Sequence, residues 1–171
     1  MKCVVDTNVP IVANGRSEQA SPECVSTCAV RLNELIRKGK LVLDDGKRIL
    51  KEYMANLEYG GHRQAMPGDA FLKWVYINYS NPEKCKLIQI TPKDSDEIDF
   101  VEFPSDPELM NFDPRDKKFI AAALAHPEKP PILQAVDTQW WVMKEPLSRA
   151  GITIDFLCEK DIKLLLRKKS K

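Results

Sequence analysis

The chain has 171 residues, of which 43% are hydrophobic, 30% charged and 8% aromatic. That is enough for one globular domain with its own core, and it excludes a disordered or collagen-like chain. The 26 Lys and Arg against 25 Asp and Glu give a formal net charge of +1, so overall charge points neither to nucleic acid nor to a membrane surface. No apolar run approaches the roughly 18 residues of a membrane span, and Asp6 interrupts the start before a signal-peptide core can form. The expectation is a soluble, cytoplasmic protein without membrane partners.

Lys2 to Val5 is a short run rich in β-branched residues, broken by Asp6-Thr7-Asn8, and predicts a strand ending in a loop. From Ser21 a helix start is well marked: Ser21 as N-cap, Pro22 at the first helical position and Glu23 in the first turn. Val25, Cys28, Ala29, Leu32, Leu35 and Ile36 carry the apolar face until Lys38-Gly39 closes it. A second strand at Leu41 to Leu43 stops at Asp44-Asp45-Gly46, and a helix follows with Ile49, Leu50, Tyr53, Met54 and Leu57 on one face. Glu52 lies on that helix off the apolar stripe. Gly60-Gly61 ends it, a further helix is predicted around Phe71 to Tyr76, and a third strand at Leu87 to Ile90.

Between Thr91 and Phe112 three prolines fall among many acids, which predicts irregular backbone with a short helix or two inside one domain spanning 1–171. Asp113-Pro114-Arg115-Asp116 opens the next helix, with Asp113 as N-cap, and His126-Pro127 ends it. Ile132 to Val136 is a fourth strand closed by Asp137. A short helix over Gln139 to Leu147, a strand at Ile152 to Phe156, a helix over Lys160 to Lys168 and a basic tail at 167–171 complete the chain. Strands alternating with helices predict a mainly parallel sheet covered on both faces, with ligands at the carboxyl ends of its strands.

The charges are unevenly spread. Residues 1–90 hold 13 basic and 10 acidic side chains, 91–137 hold 5 and 11, and 138–171 hold 8 and 4. Carboxylates at one sheet edge repel one another unless a cation neutralises them, and hard ions such as Mg²⁺ and Mn²⁺ are the natural partners of oxygen ligands. The dull alternatives are specific: Asp45 as a turn or capping residue, Asp113 as an N-cap, Asp116 favouring a helix N-terminus, and Glu52 as an ordinary surface residue. The five cysteines (Cys3, Cys24, Cys28, Cys85, Cys158) are odd in number, scattered, and without a C-x-x-C pair, which suits a reducing compartment. Cys24 and Cys28 share a helix face and read as core-facing thiols, with zinc the less favoured alternative.

Val4-Val5-Asp6-Thr7-Asn8-Val9 resembles the opening of PIN-domain ribonucleases. Leu41 to Leu43 followed by Ile49-Leu50-Lys51-Glu52-Tyr53 is similar to that family's second strand and acid-bearing helix. Asp113-Pro114-Arg115-Asp116-Lys117-Lys118-Phe119 is similar to its third acidic motif, and Ile132 to Asp137 to its fourth strand and acid. The resemblance spans about residues 2–156. It departs after Asp137, where Thr138-Gln139-Trp140-Trp141 stands in place of another polar or acidic residue followed by an apolar one, and in the length of the acidic stretch Asp94 to Glu108.

The resemblance implies a Rossmann-like, three-layer α/β/α fold with about five strands. It also implies an endoribonuclease using Mg²⁺ or Mn²⁺ at Asp6, Glu52, Asp116 and Asp137, with Thr7 and Asn8 positioning Asp6 or a water. RNA contacts are expected from Lys47, Arg48, Arg63, Lys117 and Lys118. Many bacterial members of the family are toxins, which implies an antitoxin protein as a partner; a homodimer stays open as an assembly state. The long acidic stretch is expected to repel RNA, to cover the site, or to bind a partner through Asp96, Glu97 and Asp99. A second reading keeps the fold without the chemistry: a PIN-like module that binds RNA or a protein and does not cut. A phosphorelay receiver and a haloacid-dehalogenase-type phosphatase both fail. The Asp44-Asp45 pair sits on the wrong strand for the first, and Asn8 stands where the second needs an acid.

Overall fold

A computed structural model describes residues 1–59 and 65–171. Five strands, β1 (Lys2–Val5), β2 (Lys40–Asp44), β3 (Cys85–Ile88), β4 (Ile132–Gln134) and β5 (Ile154–Phe156), form one sheet in the order β3-β2-β1-β4-β5. Every pairing is parallel. The chain builds outward from β1 to β3 and then jumps back across β1 to place β4, so the order reverses between β1 and β4. With right-handed crossovers, that reversal puts the connecting helices on opposite faces of the sheet, giving a three-layer α/β/α, Rossmann-like fold.

Among the described residues eight helices cover the sheet: α1 (Asn8–Ala13), α2 (Pro22–Lys38), α3 (Arg48–Asn56), α4 (Pro67–Asn78), α5 (Lys117–Ala125), α6 (Thr138–Val142), α7 (Lys144–Arg149) and α8 (Glu159–Lys169). Helices α1, α2 and α4 pack on one another, while α5 lies against β1, β2 and β4. The strands are apolar on both faces, as a doubly covered sheet requires: Cys3, Val4, Val5, Leu41, Val42, Leu43, Ile132 and Leu133 are all fully buried. Ser21 caps α2 as expected, its hydroxyl accepting from the Cys24 N–H at 3.2 Å, with Pro22 in the first turn.

Several boundaries differ from the sequence expectation. β3 starts two residues earlier, at Cys85, because its partner β2 sets the register and pairs Leu41 with Cys85. The Gln139 to Leu147 helix is split into α6 and α7 at Met143. The acidic segment holds one 3-10 turn, Pro107–Leu109, and an antiparallel bridge from Pro92 to Phe100. Helix α1 directly follows β1 where a loop is expected. Pro10 sits in its first turn, where no backbone donor is needed, and Val9, Val12 and Ala13 are buried.

Helix α3 is started by Asp44, not Asp45. The fully buried Asp44 carboxylate accepts from the Arg48 and Ile49 N–H groups at 3.0 and 2.9 Å and from the Arg48 guanidinium at 3.1 Å. Lys47 meanwhile takes a left-handed backbone (φ 60°) to turn the chain. Asp44→Ala strips two helix-start donors of their acceptor, so we expect a loss of about 2 kcal/mol in urea unfolding. Because α3 carries Glu52, any activity of the site should fall with it.

The cysteine expectation is overturned. Cys24 and Cys158 form a disulfide with their Cα atoms 5.3 Å apart, joining α2 to the residue before α8 across 134 positions. Sequence spacing gives no hint of it, because β5 delivers Cys158 to α2 only once the sheet exists.

Candidate active site

A pocket of about 470 Å³ opens at the carboxyl ends of β1 and β4, where the strand order reverses. Asp6, Glu52, Asp116 and Asp137 all line it, each delivered by a different element. Asp6 closes β1 and is 4% exposed. Glu52 projects from α3. Asp116 ends the 3-10 turn Pro114–Asp116 that leads into α5. Asp137 caps α6, accepting from the Gln139 N–H at 2.8 Å.

Thr7 and Asn8 organise these acids, though not as expected. The Thr7 hydroxyl donates to Glu52 Oε1 at 2.7 Å, so it positions Glu52 rather than Asp6. Asn8 holds Asp6 through its backbone, the N–H donating to Asp6 Oδ1 at 2.8 Å. Its side-chain oxygen accepts from the Val136 N–H at 2.8 Å, which ties the end of β1 to the loop after β4. The Tyr53 hydroxyl, fully buried, donates to the Val5 carbonyl one residue before Asp6. Trp140, also buried, donates its indole N–H to Asp116 Oδ2 at 3.3 Å.

The electrostatics show what crowding does. Burial, with the charges of Asp116, Glu52 and Asp137, pushes the Asp6 carboxyl well above the usual range, while the Asn8 N–H pulls the other way. Burial, then Asp137, Asp113 and Glu52, pushes Asp116 up to about 7. Among the described residues no three carboxylates place an oxygen of each within 4.8 Å of one another. Lys118 pairs with Glu52 and supplies a cation from within the chain.

These shifts make metal-free stability depend on pH. In the unfolded chain an Asp ionises near ~3.9, whereas folded Asp116 keeps its proton up to about 7. Between those values the folded state binds more protons, so this contribution is whole below the unfolded value and is lost as pH rises through the folded one. In a chelating buffer the melting temperature should therefore fall between about pH 4 and about pH 7, and Asp116→Asn should flatten the slope.

The expected RNA-contacting residues divide. Lys118 lies in the pocket. Arg48 is held between Asp44 and Glu97 and stacks on Phe100, and Lys117 pairs with Asp99 at 3.3 Å over Phe103. Both cations are engaged within the chain, with only 15% and 13% of their side-chain surface exposed, and neither is in the pocket lining. Lys47 stands over Tyr79, outside the pocket lining. Arg63 lies outside the described residues.

Two contributors escaped sequence reasoning, Arg115 and the Trp140 N–H. Arg115 lines the pocket and pairs with Asp113 at 2.7 Å. Trp140 reads in sequence as a core aromatic, which it is, yet its N–H also serves Asp116. Glu97, Ile98 and Phe100 form part of the pocket wall, so the acidic segment does reach the site. Its acids are tied internally: Glu97 to Arg48, and Asp99 to Lys93 and Lys117.

No protein-family model matches the chain, and neither a curated protein nor a solved structure matches it.

Proposed function

We propose that this protein is a metal-dependent endoribonuclease of the PIN type, holding Mg²⁺ or Mn²⁺ among Asp6, Glu52, Asp116 and Asp137. The observation that carries the reading is the convergence of four carboxylates from four elements on the pocket at the switch point of the sheet. Their chemistry fits the ion: all four offer hard oxygen donors, and burial, with the added repulsion of neighbouring acids, pushes Asp116 up to about 7 in the absence of a cation. Such an ion supplies Lewis-acid polarisation of a phosphodiester and lowers the pKa of water towards neutrality.

The chain's own groups do the positioning. Thr7 fixes the Glu52 carboxylate, the Asn8 N–H fixes Asp6, and Trp140 fixes Asp116. Arg115 is the exposed cationic side chain in the pocket lining, and we assign it to phosphate contact; Lys118, also in the lining, is paired with Glu52 and reaches a phosphate only when that pair opens. Among the described residues no histidine lines the pocket.

One observation favours the second reading, a PIN-like module that binds RNA without cutting: Lys118 occupies Glu52, and the carboxylates are not drawn together. Cleavage of a mixed pool of structured and single-stranded RNAs with Mn²⁺, with Mg²⁺ and with EDTA separates the two. Cutting that needs the metal and disappears in Asp116→Asn supports the nuclease. RNA retention without cutting under every condition supports the binding module.

A further inference from the structure

Away from the carboxylate pocket, the fold gathers a second set of ligands of different chemistry. Cys24 and Cys28 lie one turn apart on α2 and face inward together, and Cys158 meets them from the residue preceding α8. Their three sulfur atoms lie within 4.8 Å of one another, and all three residues are buried. The disulfide between Cys24 and Cys158 accounts for two of them. It leaves Cys28 with its sulfur 3.9 Å from that of Cys158 and fully buried.

The cross-link uses two of the three sulfurs; Cys28, unlike the other buried free cysteines Cys3 and Cys85, stands against it. With metal–sulfur bonds of about 2.3 Å, neighbouring sulfurs of a tetrahedral thiolate shell are about 3.8 Å apart. Even with Cys158 held in the disulfide, its sulfur stands 3.9 Å from that of Cys28, close to that edge. Soft thiolates select zinc-class ions and discriminate against Mg²⁺ and Mn²⁺, so ligand hardness keeps this cluster distinct from the carboxylates.

We propose that in the reduced protein Cys24, Cys28 and Cys158 form a three-thiolate site for one soft divalent ion of the zinc class. The disulfide is its oxidised, metal-free counterpart. An external dithiol interconverts the two: it gives two electrons and two protons, the Cys24–Cys158 bond breaks to two thiols, and the dithiol becomes a disulfide. Metal binding then releases the protons of the thiols that become ligands. Under reducing conditions the ion takes over the task of the disulfide, clamping α8 to α2 across the same 134 positions.

The test uses the full chain, reduced and kept anaerobic, titrated with Cd²⁺ and followed by thiolate-to-metal charge-transfer absorption. Asp6→Asn/Asp116→Asn serves as the background, so that the carboxylate pocket does not contribute and failure of the nuclease reading leaves this result untouched. One equivalent should bind, Zn²⁺ should compete, and Cys28→Ser should weaken binding at least ~100-fold. No charge-transfer band in the folded, reduced protein, or unchanged affinity in Cys28→Ser, overturns the proposal. If Cys28→Ser does not fold, the background protein decides by alkylation: Cd²⁺ that shields the thiols of all three residues supports the site, and shielding of two or fewer overturns it.

Discussion

Asp6→Asn is expected to reduce metal-dependent RNA cleavage at least ~100-fold, because it removes a carboxylate ligand from a site whose chemistry rests on the ion. The same substitution should raise the melting temperature of the metal-free protein at neutral pH. Asp6 is buried among three other acids, and its charge is unfavourable until a cation arrives. The Asn oxygen can still accept from the Asn8 N–H, so the end of β1 keeps its local geometry. Lower activity joined to higher stability is the signature of a functional carboxylate; a structural one would lose both. Activity is read with Mn²⁺ against EDTA, and stability by thermal unfolding in a chelator.

Trp140→Ala is the largest stability effect expected, about 3–5 kcal/mol, since it empties a fully buried indole site. The ring stands edge-on to Phe112 with centroids 5.2 Å apart, and Phe112 in turn contacts Phe103 of the acidic segment at 5.9 Å. The loss therefore spreads to the packing of the acidic segment. Trp140→Phe separates packing from hydrogen bonding: most of the apolar contact is kept, and the donor to Asp116 Oδ2 is withdrawn. We expect that variant to cost about 1–2 kcal/mol. Asp116 should then hold its proton more tightly, so Mn²⁺ binding should weaken more steeply towards acid pH than in the wild type. Equal pH dependence in the two proteins would show that the indole N–H does nothing for the site.

The elements legible in the sequence were those with strong local punctuation. Ser21-Pro22 and Asp113-Pro114 announce helix starts by capping chemistry that works without tertiary context: both side chains accept from backbone N–H groups near their helices. Helix α1 was not legible because Val9, Ile11 and Val12 favour strands and Pro10 reads as a breaker; burial against α2 and α4 overrides both. The order of acids along the chain was visible, as was the strand end carrying Asp6; Asp137, expected to close a strand running to Val136, instead caps α6 three residues beyond the end of β4 at Gln134. Which groups orient them was not. Thr7 reaches Glu52 across 45 positions and Asn8 reaches Val136 across 128, distances over which no local pattern reports. Surface lysines and arginines were the least legible of all, since nothing in Arg48 or Lys117 as letters says that Asp44, Glu97 and Asp99 will claim them.

The same limit applies to the cysteines. The shared face of Cys24 and Cys28 follows from helical spacing, but Cys158 joins them only through the placement of β5 beside β4. A chain read locally shows two thiols; the folded one shows three sulfurs within 4.8 Å.

The central claim is that four carboxylates at the sheet's switch point bind a hard divalent cation, and titration of Mn²⁺ into the chelator-treated protein by calorimetry tests it most directly. Saturable binding that Mg²⁺ displaces, that releases protons near pH 7 as Asp116 ionises, and that is lost in Asp6→Asn/Asp116→Asn is the result predicted here. Absence of saturable binding, or binding of equal strength in that double variant, would contradict it.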